Sequence, residues 1–169
     1  VEQIDTLGFD EFWCGEHHSS GWEMIASPEM FLAAAGERTK RIKLGTGVVS
    51  LPYHHPFNVA QRMVQLDHMT GGRAIFGSGP GALASDAHTL GIDPMTQRDR
   101  QDEAIGLIRR LFNGERGGGR DRRLGRAAPN RSRRGQRAAL LQCRQYRLQR
   151  GSRGGADGAP GRPDLDVVR

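Results

Sequence analysis

Two histidine pairs and two glycine-rich turns carry most of the chemistry this sequence could perform. Glu16 precedes the adjacent His17 and His18, and a second pair, His54 and His55, leads into Pro56. Imidazole titrates closest to neutrality of all side chains, so a histidine beside a carboxylate is equipped to take or give a proton. The pairs do not spell a zinc centre. Adjacent histidines point in divergent directions, and no His-x-x-x-His or Cys pair completes the usual ligand set. The glycine-rich turns are Gly45-Thr46-Gly47-Val48 and Gly77-Ser78-Gly79-Pro80-Gly81. The second lacks the G-x-G-x-x-G pattern, and Pro80 removes one amide donor, so it is a poor phosphate cradle. Its glycines read instead as places where a flat ligand comes close to the backbone. His54 reads as a loop or cap residue and Cys14 as a buried strand residue, while His68 and His88 support no assignment.

The elements that must position these residues alternate regularly. Residues 11–15 form a short aromatic-rich strand candidate. Ser27-Pro28-Glu29 supplies an N-cap, a proline at the first helical position and an early acid. Met30, Phe31, Ala34 and Ala35 then follow at helical spacing to about Thr39. Residues 42–50 are a second strand. Pro56 opens another helix, with Phe57, Val59, Ala60, Met63, Leu66 and Met69 along its buried side, ending at Thr70-Gly71-Gly72. Residues 73–78 are a third strand. Thr96 and Asp99 resemble a capping box ahead of the stripe Ala104, Ile105, Ile108, Leu111 and Phe112, closed by Gly114. Upstream, the first eight residues read as the end of a helix stopped by Gly8, which predicts a further segment before Val1. Strands recur roughly every 30 residues with helices between them, the rhythm of βαβ units and a parallel sheet. In such folds ligands sit at the carboxyl ends of the strands, and both histidine pairs and both glycine turns fall there. Rossmann-like sheets and (β/α)₈ barrels share this rhythm, and periodicity alone does not separate them.

Composition divides the chain after Glu115. Residues 1–115 hold 10 Lys and Arg against 15 Asp and Glu, a net of −5, whereas residues 116–169 hold 15 Arg against 4 acids, a net of +11. The overall +6 therefore belongs to the tail. Both Trp, all six Phe, all five Met and all six His precede the division. The tail is mostly Arg, Gly, Ala, Pro and Gln, with Tyr146 its one aromatic, and it buries too little apolar surface to offset the entropy of ordering. The expected organisation is a folded unit over 1–115 and a low-complexity, disordered Arg/Gly-rich tail over 116–169, in which 138–146 could make two helical turns at most. Two readings of the tail follow. A nucleic-acid-binding arm would hold phosphates non-specifically and with strong salt dependence, although aromatics to stack on bases are almost missing. A frameshift near residue 115 in GC-rich DNA would give this Arg, Gly, Ala and Pro bias, and is the reading preferred. One cysteine in each part gives no disulfide framework and fits a reducing cytoplasm. No run of about 18 apolar residues predicts a membrane span.

Taken together, several of these stretches resemble the bacterial luciferase-like flavin monooxygenases. They are Phe12-Trp13-Cys14-Gly15-Glu16-His17-His18, Leu44-Gly45-Thr46-Gly47-Val48-Val49 and His55-Pro56, with two more further on. Those two are Leu66-Asp67-His68-Met69-Thr70-Gly71-Gly72-Arg73 and Phe76-Gly77-Ser78-Gly79-Pro80-Gly81. Ser20-Gly21-Trp22-Glu23 and Ser85-Asp86-Ala87 bring the limonene-monooxygenase-like branch nearest. The resemblance covers about residues 7–115, and its motifs are specific as a set rather than singly.

The resemblance implies an α/β fold, a partial (β/α)₈ TIM barrel in which the three strands are the second to the fourth. It implies reduced FMN supplied by a separate flavin reductase, and insertion of one oxygen of O₂ into a small organic substrate. Carried over by motif, His17 is the active-site histidine that exchanges a proton, and Glu16 faces the isoalloxazine ring. Gly47 and Val48 match a position where relatives carry a non-proline cis peptide against the flavin. Ser78 and Gly79 would border the ring's reactive edge, and His18 and His55 would line the substrate pocket. Pro80 stands where luciferase proper has a phosphate-binding Arg, so that contact does not carry over. Relatives pair through the helices at about 28–39 and 56–69, which implies a homodimer of the intact protein. The other half of the barrel is absent in kind from 116–169, so the chain as written is expected to be inactive. A hydride-transferring deazaflavin enzyme on the same barrel is the alternative activity.

Overall fold

In the computed structural model, which describes residues 1–114 and 167–168, the chain builds a parallel sheet with helices packed on one face. Helix α1 (Glu2–Thr6) ends at Gly8, whose φ of +90° only glycine adopts without strain. The Asp5 carboxylate at its end accepts the backbone N–H groups of Lys40, Arg41 and Ile42, which ties α1 to the start of the second strand. Strand β1 (Glu11–Cys14) leads through a long loop to α2 (Pro28–Arg38). The expected second strand is split into β2 (Lys43–Thr46) and β3 (Val49–Ser50). Then come α3 (Pro56–Met69), β4 (Ala74–Gly79), the short α4 (Ala84–Thr89) and α5 (Gln97–Phe112).

All pairings are parallel. β1 lies against β2 with Trp13 opposite Gly45, and both β2 and β3 run along β4. Leu44 pairs with Ala74 but Val49 with Ser78, so the 44–49 stretch holds one residue more than β4 opposite it. That extra residue makes a bulge, and within it the Gly47-Val48 peptide is cis, as the resemblance implied. A fifth strand, β5 (Val167–Val168), pairs with β4 at Phe76 and Gly77. Thr46 already occupies the other side of Gly77, so β5 takes the opposite edge. These two residues lie in the stretch expected to be a tail, and there two adjacent β-branched residues meet the edge of β4. The expected helical turns at 138–146 and the disorder expected of the tail lie outside the described residues.

The core forms where the helices meet the sheet. Leu32 of α2, Val59, Met63 and Leu66 of α3, and Ile105 and Ile108 of α5 close over Ile42, Leu44 and Phe76. Two sequence expectations about packing need correction. Met30 and Phe31 are exposed, and α2 turns Leu32, Ala35 and Gly36 inward instead. Gly36 lets the helix approach so closely that a Cβ there would lie 2.7 Å from Thr70 Cγ2. Met69, at the last position of α3, is likewise exposed. The capping expectations are also revised. Ser27 occupies the N-cap of α2 without a side-chain bond. Thr96 is already helical in backbone, because a 3₁₀ turn (Pro94–Thr96), whose Met95 N–H is capped by the Asp93 carboxylate, precedes α5. Arg73, just before β4, donates to the carbonyls of Gly36, Thr39 and Ile42, and so satisfies the end of α2. No helix among the described residues is long and apolar enough to cross a membrane.

Candidate active site

The carboxyl ends of β1 and β3 converge on Glu16. Its side chain is fully buried, and each of its oxygens is used. Oε1 accepts from His18 Nε2 at 2.9 Å and His54 Nε2 at 2.6 Å, and Oε2 accepts the Ser50 backbone N–H at 2.7 Å. Burial alone pushes the Glu16 carboxyl up, but the His54, Ser50 and His18 contacts outweigh it and hold the group below its ordinary value. On the far side of His54, Arg62 Nη2 lies 3.4 Å from Nδ1, and Arg62 Nε pairs with Glu29 at 2.8 Å. A guanidinium only donates, so Nδ1 of His54 is the acceptor and its ring proton sits on Nε2, facing Glu16. Tyr53 meets the His18 ring edge-on at 5.8 Å.

His17 belongs to a second cluster. Its Nδ1 lies 3.2 Å from Asp86 Oδ2, and its Nε2 lies 3.2 Å from Glu23 Oε2. Asp86 on α4 is buried and also accepts the His18 backbone N–H at 3.2 Å and the Ser19 hydroxyl at 2.5 Å. Burial pushes the Asp86 carboxyl up, and the Ser19, His17 and His18 donors bring it below the ordinary value. Glu23 is exposed and holds φ of +51°, a left-handed conformation uncommon outside glycine.

The bulge supplies the backbone surface. Gly47 is exposed and Val48 half-buried, whereas Ser78 and Gly79 are buried beneath them. The Ser78 hydroxyl accepts from Gln101. A Cβ on Gly79 would lie 2.8 Å from Val48 Cγ2, one on Gly77 would lie 2.0 Å from the Thr46 carbonyl, and one on Gly45 would enter the Trp13 ring at 2.5 Å. The space above these glycines is therefore already filled by the chain. They serve strand-to-strand and tryptophan packing. Trp13 lies over Gly45 on the sheet face away from the helices and is more than a third exposed.

Several expected site residues are thus placed differently from their sequence assignment. Glu16 has no exposed side-chain surface to present to a ring and instead organises two histidines. His55 stands exposed at the N-cap of α3, where its carbonyl accepts the amides of Asn58 and Val59, and it does not join the cluster. His54, read as a loop or cap residue, is the one drawn in. Sequence reasoning also missed Asp86, Glu23 and Arg62 as partners. The only signal was that Glu23 and Asp86 lie in the two branch-like stretches. Cys14 is buried as expected, and burial pushes its thiol up to about 11.

The arrangement matches known proteins over the same residues. The luciferase-like monooxygenase family profile covers residues 1–140. The chain is 65% identical over 115 residues to limonene 1,2-monooxygenase of Rhodococcus erythropolis, covering 68% of this chain and 30% of that protein. It is 60% identical over 115 residues to 4-hydroxyprotoasukamycin monooxygenase of Streptomyces nodosus subsp. asukaensis, covering 68% and 31% respectively. Among solved structures, the oxygenating constituent of 3,6-diketocamphane monooxygenase from Pseudomonas putida, a type II Baeyer–Villiger enzyme in complex with FMN, superposes with a TM-score of 0.64. That match has 32% identity and covers 68% of this chain and 32% of that one. The chain spans about a third of the length of these relatives. Its parallel sheet, its helices and the bulge at Gly47 are part of the (β/α)₈ barrel that such enzymes share, and the chain belongs to the luciferase-like monooxygenase family.

Proposed function

We propose that the protein carrying this segment is the oxygenase component of a two-component flavin-dependent monooxygenase, using reduced FMN from a separate flavin reductase and acting on a small organic substrate. The observation that carries this reading is His17, held just beyond β1 between the carboxylates of Glu23 and Asp86, while the Gly47 backbone stands exposed at the end of β2. The residues present suit a planar ring: the Gly47-Val48 turn offers bare backbone at the sheet end, with Trp13 exposed alongside. Gly47 and Val48 would hold the ring, with Ser78 and Gly79 backing the turn. Bound reduced flavin supplies the two electrons with which O₂ gives one atom to the substrate and one to water. His17 exchanges a proton at that site, Glu16 fixes His18 and His54 around it, and His18 borders the substrate. Reduced FMN is preferred to deazaflavin because the FMN-bound diketocamphane enzyme superposes on the chain at 32% identity and a TM-score of 0.64.

We further propose that residues 1–115 are the barrel part of this chain and 116–169 a separate tail of different, frameshifted origin, and that the enzyme works in the cytoplasm. A homodimer of the intact protein is supported by the apolar outer face of α2, where Met30 and Phe31 stand exposed. The test is ¹⁸O₂ turnover by the intact barrel with a flavin reductase and a cyclic terpene or ketone. Incorporation of one ¹⁸O, dependent on reduced FMN, is the expected result. Hydride transfer with a deazaflavin and no oxygen incorporation would overturn it.

A further inference from the structure

Asp86 is one of two almost wholly buried carboxylates at this end of the sheet, with 1% of the residue exposed. It sits on α4, 69 residues from His17, yet the side-chain and backbone groups it accepts from belong to the loop after β1: His17 Nδ1, the His18 N–H and the Ser19 hydroxyl. A carboxylate taken out of water is tolerated only where such donors compensate it, so this link is held firmly. We propose that Asp86 is the positioning residue for His17, fixing the neutral ring with its proton on Nδ1 and leaving Nε2 as the nitrogen that exchanges protons. The proposal rests on the reading of His17 given above.

The chemistry of the two ring nitrogens supports it. An ionised carboxylate only accepts, so the Nδ1 contact at 3.2 Å requires a proton on Nδ1. The Nε2 contact with Glu23 then forms when the ring holds both protons, and the neutral ring shows Glu23 a bare lone pair. Nδ1 is thus tied to a buried carboxylate and Nε2 to an exposed one, which gives proton exchange a direction toward solvent. The neighbouring histidines are set the opposite way, since both His18 and His54 direct Nε2 at Glu16. One site therefore holds rings of opposite tautomer, each chosen by a buried acid.

Histidine-¹⁵N-labelled chain of the full 169 residues tests this by long-range ¹⁵N–¹H correlation, with His17 assigned by its loss in His17→Gln. At a pH where the rings are neutral, His17 should carry its proton on Nδ1 while His18 carries its own on Nε2. Asp86→Asn should change His17 from one tautomer to a mixture and leave His18 unchanged. Ser19→Ala, which keeps the carboxylate, should leave the His17 tautomer as it is. A His17 ring protonated on Nε2 in the unaltered chain overturns the proposal, as does an unchanged tautomer in folded Asp86→Asn. Should Asp86→Asn fail to fold, the unaltered chain decides alone. Neither flavin nor O₂ enters the measurement, so it can fail while oxygen transfer succeeds, or stand while oxygen transfer fails.

Discussion

Glu16 faces three donors and no water, so its charge and its shape are both committed. His18, His54 and the Ser50 amide converge on its two oxygens. Glu16→Gln keeps the volume but offers one acceptor oxygen and an amide that must donate, leaving at least one buried N–H unpaired. The expected cost is about 1–3 kcal/mol, read from urea unfolding midpoints. The same carboxylate, with Asp86, makes stability depend on pH. Both are held below their ordinary values in the folded state, so the unfolded chain binds protons first on acidification. Their contribution is complete above the ordinary carboxyl range and is lost as pH falls through the lowered folded values. Unfolding midpoints should therefore decline on the acid side and stay flat from mildly acidic to neutral pH, and Glu16→Gln should make the decline shallower. An unaltered acid limb in that variant would remove Glu16 from the account. At this scale the sequence made His17, His18 and Glu16 legible, because strand ends collect ligand groups. It could not show which way each side chain turns. Glu16 looked ligand-facing and is buried, while His54 looked peripheral and is central. Asp86 was hidden because a six-residue helix of small and polar residues leaves no periodic trace.

Glycines at element scale separate two kinds of position that look alike in sequence. Gly77 lies in β4, where the Thr46 hydroxyl donates to its carbonyl at 2.8 Å and accepts its amide at 2.9 Å. A Cβ there would stand 2.0 Å from the Thr46 backbone oxygen, which cannot swing aside as a side chain would. Gly77→Ala should cost about 3 kcal/mol or more by forcing β2 from β4. Gly106 is exposed in the interior of α5 with nothing within 4 Å of its virtual Cβ. Gly106→Ala should stabilise by about 0.5–1 kcal/mol, because alanine loses less backbone freedom on entering a helix. Paired urea titrations check both signs, and a tolerated Gly77→Ala would refute the packing role. The strands and long helices were legible from alternation and caps, and their bounds agree closely. The inward face of α2 was not. Apolar residues surround most of that helix, so the buried stripe was selected by the close approach that Gly36 permits rather than by hydrophobicity. The division of 42–50 into two strands was likewise invisible to β-propensity, since the bulge comes from register with β4.

The described sheet is one arc of a barrel, and its far face shows this. Trp13 and Gly47 are exposed on the side away from the helices, where in a closed barrel further strands would stand opposite. Among the described residues, the edge of β4 beyond Gly77 is met only by the two residues of β5. The chain spans about a third of its relatives' length, so the groups that would complete a flavin pocket and exclude water from it belong to the rest of the barrel. We expect the 169-residue chain alone to give no oxygenated product with reduced FMN. Joining residues 1–114 to the remaining barrel of limonene 1,2-monooxygenase should restore turnover, because 65% identity leaves the joined faces nearly unchanged. Within that joined chain, His17→Ala should lower kcat by about 10²–10⁴-fold, the range for losing a positioned acid or base. Its stability should fall by about 1–3 kcal/mol, because buried Asp86 loses one of its donors, while the fold is kept, since His17 lies outside the hydrophobic cluster. Product ¹⁸O content by mass spectrometry reads the activity and circular dichroism the fold. Full activity in His17→Ala would remove this histidine from the proton exchange assigned to it, and turnover by the unjoined chain would mean that the arc suffices by itself.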